Sequence, residues 1–238
     1  MGTLKEIIDN SRYAVFFGGA GVSTASNIPD FRGANGIYNT ENEWGLPPER
    51  IISHSFFVRR TKDFYDYYKK YMVYPDARPN EVHTALARLE KEGKIKAVLT
   101  QNIDGLHQKA GSKNVLELHG SVHRNYCEHC GKAFPLSYIL QSTGVPRCDA
   151  CGGPVRPDVV LYEEALDGDI LEAAVEDIAA ADLLIIGGTS LVVYPAAGLI
   201  RYFQGSHLVL VNKTATAADS RADLVIHDAI GAVFAQLP

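Results

Sequence analysis

Tyr13-Ala14-Val15-Phe16-Phe17-Gly18-Gly19-Ala20-Gly21-Val22-Ser23 decides how the rest of the chain is read. Tyr13 to Phe17 is apolar without polar alternation, the pattern of a strand buried on both faces. The glycines that follow at once let the backbone turn sharply, and the segment after them is expected to open a helix. Glycines placed there let the chain approach a pyrophosphate, and a helix start adds unpaired N–H groups and a positive dipole end. Against the pattern G-x-G-x-x-G, however, Thr24 holds the third glycine position, and no acidic residue closes a second strand about 20 residues on. A tight turn without a ligand therefore stays open on these residues alone.

The same strand pattern recurs at Ile95–Leu99, Leu183–Ile186, His207–Val211 and Leu224–Ile226, each run ending in glycine or a polar residue. Helical patterns lie between, over Glu81–Lys91 and Asp169–Ala181. Such alternation predicts an α/β, Rossmann-like fold: a parallel sheet with helices on both faces, its ligands at the C-terminal ends of the strands. Two stretches break the alternation. One is rich in Tyr, Phe and charge, with a helical run over Ser55–Met72; the other carries every cysteine. The expected division is a Rossmann-like domain from residues 1–33, 80–120 and 156–238. A smaller lobe would combine a helical module, 34–79, with a cysteine module, 121–155.

Cys127 and Cys130, then Cys148 and Cys151, form two C-x-x-C turns, and there is no other cysteine. Two such turns supply four thiolates for a closed tetrahedral zinc site, which leaves no position for a reacting water and so holds structure together. A pair of disulfides, or a redox-active C-x-x-C, is the alternative. The 238-residue chain has 46% apolar and 21% charged residues, ordinary for a globular protein, and a net charge of −5. That charge argues against broad nucleic-acid binding, which needs a basic face. Without a signal-peptide pattern or an apolar run of about 20 residues, an unexported, membrane-free protein is expected. Thiolates poised for metal point to the reducing cytoplasm.

Read further, the glycine turn becomes Gly19-Ala20-Gly21-Val22-Ser23-Thr24-Ala25-Ser26-Asn27-Ile28-Pro29-Asp30-Phe31-Arg32-Gly33. Thr100-Gln101-Asn102-Ile103-Asp104-Gly105-Leu106-His107 follows, then His119-Gly120, the cysteine pairs, Gly187-Gly188-Thr189-Ser190 and Val211-Asn212-Lys213. In this order and over nearly the whole chain, the set resembles the sirtuins, NAD-dependent protein-lysine deacylases, in their bacterial, core-only form. The resemblance implies that Gly19, Ala20, Gly21, Thr24, Asp30, Phe31 and Arg32 surround the pyrophosphate and nicotinamide ribose of NAD, with Phe31 over the nicotinamide face. It implies Gln101, Asn102, Ile103 and Asp104 at the ribose and carboxamide. Gly188, Thr189, Ser190, Asn212 and Lys213 would hold the adenosine half, with Asp228, Ala229 and Ile230 at the adenine. Val159, Val160, Leu161, Tyr162 and Val193 would bind the substrate peptide, pairing with it as an added strand.

The implied reaction moves no hydride. The acyl-lysine amide oxygen attacks the ribose as nicotinamide leaves, a base helps a ribose hydroxyl collapse the resulting imidate, and lysine and O-acyl-ADP-ribose are released. His119 is the implied base, with Asn102 as its catalytic companion; histidine accepts a hydroxyl proton near neutral pH. His107 is expected in a local hydrogen-bond network, and His129 is expected to stay off a metal already given four thiolates. Asn27 stands where the family more often has glycine, a substitution asparagine's tolerance of left-handed backbone permits. Tyr162 and Glu163 stand where the family more often has Phe-Gly.

Sirtuins that remove succinyl or malonyl groups carry Tyr-x-x-Arg in the helical module, whereas this chain has Tyr65 followed three residues later by Tyr68. Neighbouring lysines lack arginine's two-pronged grip on a carboxylate, so a neutral acyl group is expected. Expected partners are acylated lysine-containing proteins or peptides, taken up by a monomer. Protein ADP-ribosyl transfer and a non-enzymatic NAD or ADP-ribose sensor are the rival functions.

Overall fold

The uninterrupted apolar runs meet in one parallel sheet. The computed structural model describes residues 3–31, 36, 37 and 43–237. In chain order its regular elements are α1 (Leu4–Asn10), β1 (Ala14–Gly18), α2 (Pro48–Ile51), α3 (His54–Arg59), α4 (Thr61–Tyr71), α5 (Glu81–Lys91), β2 (Ile95–Thr100), α6 (Leu106–Ala110) and β3 (Val115–Glu117). There follow β4 (Gly120–Cys127), β5 (Ala133–Pro135), α7 (Leu136–Gln141), β6 (Val155–Val159), α8 (Gly168–Ala180), β7 (Leu183–Gly187), β8 (His207–Val211), β9 (Leu224–Ile226) and α9 (Ile230–Phe234). Six strands lie in the order β3-β2-β1-β7-β8-β9, every neighbouring pair parallel.

Every residue of β1 and β7 is buried, because side chains alternate between two covered faces. Phe16, Val98, Ile185 and Val209 pack on one face with Leu86 and Leu89 of α5 and Phe234 of α9. Val15, Phe17, Leu99, Ile186 and Leu210 pack on the other with Ala174 and Ile178 of α8. The chain winds outward from β1 to β3 on one side, then returns to place β7 against the other edge of β1. The reversal of strand order between β1 and β7 opens a crevice at their C-terminal ends, where doubly wound sheets take their ligands.

The smaller lobe has an antiparallel sheet, β5-β4-β6, and shares one core with α2 to α4. Phe57 and Phe64 meet edge to face at 4.9 Å, and Phe64 stacks on Tyr68 at 5.7 Å. The same core includes Val155, Cys127 and Cys148, so the helical insert and the cysteine segment bury one another.

Four local readings are corrected. The helix expected after the glycine turn is two short 3-10 turns, Ala20–Val22 and Thr24–Ser26; the Gly21 amide is drawn away to the Gly188 carbonyl at 2.8 Å. The Ser55–Met72 run breaks at Arg60, whose φ of −134° and ψ of 48° separate α3 from α4. Residues 156–159, counted above with the large domain, lie in β6 and pair with β4 of the small sheet. Among the described residues His107 makes no side-chain network: both its ring nitrogens are buried without a hydrogen-bond partner.

His107 packs instead against His83, ring centroids 4.7 Å apart, between α5 and α6. The Nδ1 of His83 accepts from the Asn80 amide at 3.2 Å. Burial lowers both pKa values, to about 4 for His83 and, with the neighbouring ring adding to it, to about 3 for His107. Both imidazoles are therefore neutral in the folded chain, whereas the unfolded chain protonates them near pH 6.5. Their cost is absent above pH 6.5 and grows as pH falls towards the folded values. Urea unfolding should show the pair removing about 2 kcal/mol between pH 6.5 and 5.5, a slope that shrinks when His107 is replaced by Gln.

Candidate active site

The register of the large sheet aligns four strand ends. Gly18 pairs with Thr100 and with Gly187, and Gly187 pairs with Val211. The next residue of each strand, Gly19, Gln101, Gly188 and Asn212, thus leaves the sheet on one rim. The Gln101 amide donates to the Gly18 carbonyl at 3.0 Å, and its side-chain Nε2 donates to Thr189 Oγ1 at 3.0 Å. Gly188 has a φ of +60°, and a Cβ on it would sit 2.6 Å from the Val22 nitrogen. Only glycine lets the two turns touch there. Asn80 fastens the first turn from behind, its Nδ2 donating to the Val22 carbonyl at 2.8 Å and to Ser26 Oγ at 2.9 Å. Asn27 holds a left-handed φ of 61°, as its side chain allows.

Ser23, not singled out as a site residue above, joins the inner wall. It is 1% exposed, donates to Asp104 Oδ2 at 2.6 Å and accepts from Asn102 Nδ2 at 3.1 Å. Its only sequence signal was a place inside the glycine motif. Burial raises the Asp104 pKa, opposed by the hydrogen bonds from Ser23 and the Leu106 amide. His119 emerges between β3 and β4, half-buried, with Nδ1 2.9 Å from the Gln101 carbonyl. A carbonyl only accepts, so Nδ1 carries the hydrogen and Nε2 keeps a free lone pair. Burial lowers the His119 pKa, against the opposing pull of the Gln101 hydrogen bond. The ring is thus a neutral acceptor at pH 7.

The opposite wall comes from the smaller lobe. The Val160 amide donates to the His119 carbonyl at 3.0 Å, the Tyr162 amide to the Ile52 carbonyl at 3.0 Å, and the His54 amide to the Tyr162 carbonyl at 2.9 Å. Glu164 anchors the turn: it receives both Arg156 Nη1 and Nη2, at 3.0 and 2.9 Å, and the Leu161 amide at 2.9 Å. Its pKa is lowered by these bonds, overcoming the upward push of burial. Glu163 takes a left-handed φ of 75°, which fits a position where glycine would be at ease. Its carboxylate clasps the amide and hydroxyl of Ser55 at 2.8 and 3.0 Å.

These walls enclose one cleft of about 1450 Å³. Gly19, Ala20, Gly21, Thr24, Asp30, Phe31, Gln101, Asn102, Ile103, Asp104 and His119 line it, as do Val159, Val160, Leu161, Tyr162, Gly188, Thr189, Ser190, Val193, Asn212, Lys213, Ala229 and Ile230. Asp228 is the exception: it is exposed and outside the lining, its carboxylate turned back to the Ala229 amide at 2.6 Å. Arg32 lies outside the described residues. The set of amides, hydroxyls and the Asp30 and Asp104 carboxylates suits sugar hydroxyls and a carboxamide, and the bare glycine rim suits a pyrophosphate.

The four cysteine sulfurs lie within 4.8 Å of one another. Sulfurs at about 2.3 Å from a tetrahedral zinc sit roughly 3.8 Å apart, and Cys127–Cys151 and Cys130–Cys148 stand at 3.4 and 3.7 Å. Disulfides need about 2.05 Å, so that alternative falls. Amides of His129 and Ala150 donate to Cys127 and Cys148 Sγ, each at 3.4 Å, stabilising thiolate charge. Cys127, Cys130, Cys148 and Cys151 would hold one zinc, and no ligand position remains for His129 or water.

The sequence profile of the Sir2 family matches residues 19–195. An NAD-dependent protein deacetylase of Clostridium acetobutylicum is 62% identical over 231 residues, which cover 97% of this chain and 94% of its own. Among solved structures, a histidine-to-alanine Sir2 variant with deacetylated p53 peptide and 3'-O-acetyl-ADP-ribose matches with a TM-score of 0.88 at 41% identity, covering 98% of this chain and 96% of its own. Sir2Tm bound to a propionylated peptide matches with a TM-score of 0.84 at 39% identity, covering 96% and 93%.

Proposed function

Since this chain belongs to the Sir2 family, we infer that it is an NAD-dependent protein deacetylase acting on acylated lysines of proteins or peptides. The observation that carries this reading is the meeting, in one cleft at the switch point of the sheet, of the glycine rim, the Gln101-Asn102-Asp104 group and a neutral His119. When bound, NAD supplies the sugar carbon that nicotinamide leaves and the ADP-ribose that carries the acyl group away.

The chain's own work is positioning and proton transfer. Ala20, Gly21 and Thr24 take the pyrophosphate side of the rim, while Gly188 to Ser190 with Asn212 and Lys213 take the adenosine half. Asn102 and Asp104 orient the ribose hydroxyls, themselves held in place by Ser23. His119 Nε2 accepts a proton from one of those hydroxyls, because its Nδ1 hydrogen is committed to Gln101. Val159 to Tyr162 and Val193 hold the peptide, and the backbone tie from Val160 to His119 sets its distance from the base. Zinc keeps the smaller lobe folded and takes no step in the reaction. Four thiolates held together in this way also support action in the reducing cytoplasm; no described helix is long and apolar enough to cross a membrane.

α4 carries tyrosine at both 65 and 68, with no arginine at the second position, so a neutral acyl group is preferred. With one peptide carrying acetyl- or succinyl-lysine, deacylation should depend on NAD and favour acetyl by at least about ten-fold. Faster succinyl removal would overturn the acyl assignment, and acetyl removal without NAD would overturn the function.

A further inference from the structure

The strand that leads away from His119 does not run straight. β4 advances from Ser121 to Asn125 while its partner β6 moves only from Asp158 to Pro157, so Val122, His123 and Arg124 bulge out of that pairing. Bulges beside active sites re-aim side chains, and this one is braced from within. Asn125, 2% exposed, donates Nδ2 to the Val122 carbonyl at 3.2 Å and to the Phe134 carbonyl at 3.4 Å. Ser121 Oγ accepts the His123 amide at 3.3 Å, and Arg124 pairs with both Glu117 and Asp158.

The bulge bears on the turn between β2 and α6 that carries Asn102 and Asp104. The Val122 amide donates to the Ile103 carbonyl at 3.0 Å, and His123 Nε2 stands 3.0 Å from the Asp104 carbonyl. A carbonyl only accepts, so Nε2 carries the hydrogen and donates it. Gly105 follows at once with a φ of +70°, and a Cβ there would sit 2.6 Å from His123 Cδ2. The missing side chain makes room for the imidazole. It also makes the Asp104–Gly105 peptide the soft joint of the turn, because glycine accepts many backbone orientations. Ser23 and the Leu106 amide hold the Asp104 carboxylate; His123 holds its carbonyl.

We propose that His123 is a positioning residue for the cofactor: its hydrogen bond fixes the Asp104–Gly105 peptide and so keeps Asp104 aimed at the ribose. The proposal rests on the deacetylase reading and deepens it. It makes β4, which runs on to Cys127 of the sulfur cluster, the element by which the smaller lobe steadies the cofactor site. The bond is present in the resting and the reacting enzyme alike, so its loss removes uniform binding: the KM for NAD rises and kcat stays.

The test compares the wild-type chain with His123→Phe, which keeps a flat ring beside Gly105 but no donor, and His123→Gln, whose amide can donate to the same carbonyl. His123→Phe should raise the KM for NAD, and the Kd for ADP-ribose by titration calorimetry, about five-fold, the worth of a single hydrogen bond. Its kcat and its KM for an acetylated peptide should match wild type, and His123→Gln should recover most of the lost affinity. His123 is exposed, so both variants should melt with wild type. Wild-type affinity for ADP-ribose in His123→Phe, an equal loss in His123→Gln, or a loss that falls on the peptide KM instead would each overturn the proposal alone. A wild-type chain that bound neither NAD nor ADP-ribose would remove the deacetylase reading with it.

Discussion

His119→Ala should lower turnover of an acetylated peptide by about 10²- to 10⁴-fold, the usual worth of a positioned general base. The loss is chemical, since among the described residues the ring makes one hydrogen bond, from Nδ1 to the Gln101 carbonyl, and losing it costs only about 1 kcal/mol of stability. His119→Asn sharpens the test, because its side-chain amide can still donate to Gln101 but cannot accept a proton at neutral pH. Both variants should be nearly equally slow in steady state while releasing nicotinamide in a first turnover, as the base acts after the cofactor is cleaved. Burial lowers the His119 pKa, so the acid limb of kcat in the wild-type chain should fall below pH 6.5. Full activity in His119→Asn would mean that another group takes the proton.

Cys148→Ser should have the largest effect on stability. Cys148 is 4% exposed and lies in the core shared by α4, β4 and β6. A structural zinc is worth on the order of 10 kcal/mol to a small module, and serine replaces a thiolate with a poor ligand. The variant should lose its one equivalent of zinc by elemental analysis and melt well below wild type. Because the smaller lobe forms the acyl and peptide walls, activity should be lost with the fold. A variant that stayed folded and zinc-loaded yet lost turnover would place the metal in the chemistry instead.

The central sheet was legible because β1, β2, β7 and β8 are buried on both faces and so cannot hide their apolar character. β3 escaped notice: Val115 and Leu116 are followed at once by the charged Glu117, so no apolar run stands out. The smaller sheet was equally silent, since β4 mixes buried and exposed residues around a break in register between Ser121 and Asn125. The site read better than its surroundings. Asn27 kept its turn and the cysteines converged, because in both cases the residue type itself narrows the geometry. Three features depend on tertiary contact: the Ser23 link between Asn102 and Asp104, the Glu163 clasp on Ser55 and the tilted contact of the His83 and His107 rings. Each joins elements that local patterning treats separately.

Mass spectrometry of one reaction reaches the central claim most directly. The wild-type chain, an acetyl-lysine peptide and NAD should yield deacetylated peptide, nicotinamide and acetylated ADP-ribose in equal amounts. Free acetate with NAD unconsumed, or ADP-ribose attached to a protein side chain with the acetyl group still on lysine, would contradict it.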